Sequence, residues 1–156
     1  MDYEISDETL AIIPYSSASS KVIEYDTERI LNFKPYEVME YSCEYFGSSL
    51  EGRVHGAKKI LGSIYKVPLF VDESRNIVFF PTRSPSADDN IWISLNNIDY
   101  YKKISNTKTA IIFKNGLRFV VDLPYCSIDN QVLRATRLEN VLNDRKGQKK
   151  AIKMQN

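Results

Sequence analysis

Thr109-Ala110-Ile111-Ile112-Phe113-Lys114-Asn115-Gly116-Leu117-Arg118-Phe119-Val120-Val121 sets an Asn-Gly dipeptide between two apolar runs. Asn and Gly tolerate positive φ, which the tight turns of antiparallel hairpins require, so this stretch predicts a hairpin. On its N-terminal side the same signal recurs. Val67–Val71 and Ile77–Phe80 flank Asp72-Glu73-Ser74-Arg75-Asn76, a second hairpin. Ile91–Leu95 reads as a strand after the longest loop candidate, Arg83–Asn90, which holds Pro85, two serines and two aspartates. Near the start, Leu10–Pro14 and Val22–Tyr25 can pair across the serine-rich turn Ser16–Ser20.

Helical patterns sit around these strands. Pro35 stands where a helix would begin, and Tyr36–Phe46 carries helical spacing with Val38, Tyr41, Cys43 and Tyr45 as its expected buried stripe and Gly47 as its stop. Gly47–Arg53 reads as a polar connection, followed by a short helix over Lys58–Leu61. After the Asn-Gly hairpin, Ser127 is the expected N-cap of a helix over about 127–144. Ile128, Val132, Ala135, Leu138 and Leu142 form its apolar stripe, while Asn130, Arg134 and Arg137 fall together on another face. The fold class is therefore α+β: antiparallel hairpins forming a curved sheet, with a few helices packed against one face. Residues 1–145 are expected to be a single domain and 146–156 a basic, flexible tail.

Composition narrows the function. The chain has 156 residues, 43% hydrophobic and 26% charged, as one ordinary globular domain does. No apolar run approaches the ~20 residues that span a bilayer, and the acidic Met1-Asp2-Tyr3-Glu4 lacks the layout of an export signal. A cytoplasmic protein without membrane association is expected. Two cysteines and one histidine exclude disulfide frameworks and His-rich metal centres. Net charge is only +1, but it is unevenly spread. Residues 1–51 hold Lys21, Arg29 and Lys34 against eleven carboxylates, whereas residues 133–156 hold seven bases against Glu139 and Asp144. Such asymmetry suits a polyanion partner.

Catalytic motifs are scarce. Gly47-Ser48-Ser49-Leu50-Glu51-Gly52 lacks the spacing of a nucleophile elbow. Cys43 reads as a core filler and His55 as a solvated loop residue rather than a thiol–imidazole pair. Asp72-Glu73 and Asp88-Asp89 are neighbours in turns, which rarely converge on one ion. Neither a phosphate-binding glycine loop nor any cofactor motif is present, and no enzyme activity is expected. Basic side chains that could meet phosphates carry the functional reading instead.

Ser42-Cys43-Glu44-Tyr45-Phe46-Gly47-Ser48-Ser49 with Gly52-Arg53 resembles a signature of the competence transcription factor family, ComK. So do Pro68–Asp72, Phe79-Phe80-Pro81-Thr82, Trp92-Ile93-Ser94, Asn115-Gly116 and Asn130–Thr136, in the family's order over about residues 8–145. The resemblance implies a bacterial, cytoplasmic, DNA-binding activator of DNA-uptake genes. It further implies binding to paired A/T-rich boxes as a homodimer or tetramer, through the minor groove with DNA bending, alongside RNA polymerase and with no cofactor. Candidate DNA-binding residues are Arg53, Lys58, Lys59, Arg83, Arg134 and Arg137. Of these, Arg53 and Arg134 lie in matching segments, and the others rest on charge. Longer family members carry an aromatic, Leu-Tyr-Pro-basic tail that engages an adaptor for proteolysis. Here Lys149–Asn156 has no such motif, so adaptor binding is not expected. The alternative reading is a short protein-interaction module that no longer binds DNA alone.

Overall fold

A computed structural model of the chain describes residues 1–62 and 65–155. Apolar runs that alternate across two buried faces build its central six-stranded sheet. The strands are β1 (Thr9–Ser16), β2 (Ser19–Glu24), β3 (Glu28–Leu31), β4 (Leu69–Asp72), β5 (Ile77–Pro81) and β6 (Trp92–Ser94), in the order β3-β2-β1-β6-β5-β4. All its pairs are antiparallel. Every residue of β4, β5 and β6 is buried, because Phe70, Val78, Phe80 and Ile93 pack to one side and Leu69, Val71, Phe79 and Trp92 to the other.

Helices cover both faces, not the single face expected. Helix α1 (Pro35–Tyr45) lies on the Leu69–Trp92 side with Tyr3 and Ile5, and α3 (Tyr125–Gln155) on the Phe70–Ile93 side. A sheet that is apolar on both faces must be covered twice. Helix α2 (Leu50–Leu61) joins the layers, with Leu50 packed in one core and Ala57 in the other.

The Asn-Gly hairpin is present as β8 (Thr109–Phe113) and β9 (Arg118–Val121), with Ile111 opposite Phe119 and Gly116 at φ 87°. A strand that the sequence did not announce, β7 (Ile98–Lys103), completes a separate three-stranded sheet, β7-β8-β9. Its composition is polar because it is an edge strand with one face in solvent.

Three local expectations need correction. Helix α1 starts at Pro35 as foreseen, but it buries Met39 and Ser42 with Val38 and Cys43, leaving Tyr45 56% exposed. Ser42 is tolerated inside because its hydroxyl donates to the Val38 carbonyl at 2.8 Å and accepts from the Ile5 N–H at 3.0 Å. The polar connection expected after Gly47 is instead the first turn of the 12-residue α2. Ser49 caps it by accepting from the Gly52 N–H at 2.9 Å, Glu51 and Lys58–Lys59 complement its dipole, and Gly62 ends it at φ 65°. His55 accordingly sits on a helix, exposed. In α3, Ser127 is not the cap: the Pro124 carbonyl already accepts from Ser127 at 3.0 Å and from Ile128 at 3.3 Å. That helix extends the expected 127–144 segment at both ends, its C-terminal part being rich in Lys with two Gln, good helix formers. None of the helices described is long and apolar enough to cross a membrane.

Candidate nucleic-acid interface

Helices α2 and α3 pack against one another along Ala57, Ile60, Leu138 and Leu142, and a groove of about 410 Å³ runs beside this contact. Phe70 lines it together with those side chains, and Arg53, Lys59, Glu73 and Arg145 stand along it. Gly52 and Gly56 contribute bare backbone on the α2 side. Neither has a left-handed φ, and a Cβ built at Gly56 would meet nothing within 4 Å.

Residues far apart in sequence thus meet along one seam. At 100° per residue, Arg134, Arg137, Val141 and Arg145 share the flank of α3 that borders the Leu138–Leu142 stripe. From Arg134 to Arg145 the helix rises about 16 Å, roughly five steps of a nucleic-acid strand at ~3.4 Å each.

The seam cations differ in how far they are committed to the fold. Arg53 donates from Nη1 to Glu73 Oε1 at 2.7 Å, with its side chain only 17% exposed. Arg134 donates from Nη2 to the Tyr65 carbonyl at 2.7 Å, and from Nη1 to Gln131 Oε1 at 2.6 Å and the Lys66 carbonyl at 3.3 Å. Burial lowers its pKa from the ordinary arginine value, but a guanidinium stays charged. Lys146, which the residue-by-residue reading passed over, donates to the Glu73 carbonyl at 2.7 Å and lies 5.8 Å from the centre of the Phe70 ring. Lys59, Arg137 and Arg145 are exposed and in no ion pair among the described residues. Arg145 could have been found by extending the Arg134–Arg137 face two turns along the helix.

Two candidates lie elsewhere. Lys58 projects from the other flank of α2, beside Tyr36, Glu51, His55 and Pro85. Arg83 binds Asp89 at 3.0 Å and donates to the Asp122 carbonyl at 3.4 Å, which ties the β5–β6 loop to the end of β9. Of the sequence-derived candidates, Arg53 and Lys59 thus share the groove, Arg134 and Arg137 lie on the flank of α3 that carries Arg145, and Lys58 and Arg83 lie elsewhere.

Cys43 is fully buried on α1, and burial pushes its thiol up to about 12 despite the nearby Arg53. It stays a thiol at neutral pH, consistent with a core filler. Among the described residues, no three His, Cys, Asp or Glu converge as metal ligands would.

Residues 1–147 match the family model described as ComK protein. Over 146 residues the chain is 34% identical to the competence transcription factor of Bacillus subtilis (strain 168), a span that covers 92% of this chain and 76% of that protein. No solved structure gives a significant match.

Proposed function

The chain belongs to the ComK family, and from that membership we propose that it is a cytoplasmic regulator of transcription in competence that binds duplex DNA through the α2–α3 seam. The observation that supports the reading is the convergence of Arg53, Lys59 and Arg145, drawn from two distant segments, along one groove, with Arg134 and Arg137 continuing the flank of α3 that carries Arg145. Phosphate contacts by such cations release condensed counterions and supply affinity without reading sequence. Preference for paired A/T-rich boxes then arises from the narrow minor groove of A-tracts, whose deepened negative potential attracts inserted Arg or Lys, with bending of the duplex. Residues 1–145 act as one DNA-binding domain, working as a homodimer or tetramer and with RNA polymerase at the promoter.

Band-shift titration of an A/T-rich duplex over a range of salt tests this. Binding that weakens steeply with salt, and more than tenfold on Arg137→Ala/Arg145→Ala, is the expected result. A chain that leaves the duplex unshifted at moderate salt would instead be an interaction module without DNA binding of its own.

A further inference from the structure

We propose that the outer face of the β7–β9 sheet is a second contact surface for duplex DNA, an inference that rests on the DNA-binding reading above. Side chains alternate along a strand. Tyr101, Ile111, Phe119 and Val121 pack inward against the core. The pairing register then sets two rows on the opposite face: Tyr100, Ile112 and Arg118 in one, and in the next Lys102 and Val120 on either side of Ala110, which is itself fully buried. Tyr100 is 51% and Val120 38% exposed, and Lys102 and Arg118 are exposed and in no ion pair among the described residues. The carboxylate that follows along this face, Asp122, is already held by Lys108 at 3.1 Å.

Charge decides what covers these rows. A second copy docked face to face would set Lys102 and Arg118 against their own counterparts, and like charges brought opposite one another oppose association. A polyanion meets no such penalty. Nucleic acid also offers sugar and base surface, on which apolar side chains standing between cations can bear. Three strands at ~4.8 Å spacing present a face about 10 Å wide, on the scale of the DNA grooves, roughly 6 and 12 Å.

The test uses the whole protein, an A/T-rich duplex and two variants, Lys102→Gln/Arg118→Gln and Tyr100→Ser/Val120→Ser, with thermal melting to verify folding. In parallel, a photoreactive phenylalanine replaces Tyr100. The glutamine pair is expected to bind about tenfold more weakly and to lower the slope of log affinity against log salt by about 2, one unit for each phosphate no longer neutralised. The serine pair is expected to weaken binding with the slope unchanged, and the photoprobe to attach to DNA. Wild-type affinity in both folded variants, or a photoprobe that joins two copies of the chain, would overturn this surface while leaving the seam intact. Failure of the wild-type chain to bind the duplex would overturn the DNA reading, and this surface with it.

Discussion

The guanidinium of Arg134 donates to the backbone carbonyl of Tyr65 at 2.7 Å, so a side chain that reads as a free phosphate contact also fastens the segment after α2 onto α3. Its Nη1 adds the Lys66 carbonyl and Gln131, and Gln131 in turn donates to the carbonyls of Lys66 and Pro81 at 2.8 and 2.7 Å. One network therefore ties α3 to the Tyr65–Lys66 segment and to the end of β5.

Replacing Arg134 by alanine leaves these carbonyls and Gln131 short of a charged donor, a loss of about 1–3 kcal/mol. Arg137→Ala, on the exposed side of the same helix, should stay within about 0.5 kcal/mol of the parent. Urea denaturation separates the two, and equal stabilities would mean that the Arg134 hydrogen bonds are not formed in solution.

Glu73 lines the seam and neutralises Arg53. Glu73→Gln should tighten DNA binding several-fold and steepen its salt dependence, since one cation is released and one repulsive carboxylate removed. Stability should change by less than about 1 kcal/mol, because the pair is partly exposed. Unchanged affinity would place the DNA away from the N-terminal end of α2.

Gly56 offers two effects of opposite sign. With open space where its Cβ would stand, Gly56→Ala should raise stability by about 0.5–1 kcal/mol through helix propensity. Gly56→Leu should fill the groove and weaken DNA binding while the fold persists. Melting temperature and band shift, measured on both variants, check the pair of outcomes.

Stability should also fall in alkali through Cys43. Its folded thiol is raised to about 12 from an ordinary 9.0 by burial, so between these values the folded chain keeps a proton that the unfolded chain releases. The contribution is complete below about pH 9 and is lost as pH rises toward 12. The urea midpoint should drop from pH 8 to pH 10, and Cys43→Val should make that drop shallower.

Patterns that act over a few residues were legible in the chain. Asn115-Gly116 announced its hairpin because only residues at ease with positive φ close so tight a turn, and Gly116 has that conformation. The stripe from Ile128 to Leu142 announced α3 because burial on a helix repeats every three or four residues. Of helix α2 only the last turn, Lys58–Leu61, was legible: Gly52 and Gly56 weaken the propensity on which a local reading depends, and only the cap at Ser49 and the packing on α3 reveal the rest. Strand β7 was hidden by its polar exposed face, and the Ser42 side of α1 by a hydroxyl whose partners, Ile5 and Val38, are found only in the folded chain.

The candidate site divides in the same way. Which residues are cationic, and that Arg134 and Arg137 share a helix face, follows from composition and the 100° turn of the helix alone. That Arg53 and Lys59 line one groove with Arg145 of α3, while Lys58 and Arg83 do not, was decided by tertiary packing. The burial of Ala57 and Ile60 against Leu138 and Leu142 sets the rotation of α2. Neighbours such as Lys58 and Lys59 therefore point to different sides, and no property of either residue taken singly could have told them apart.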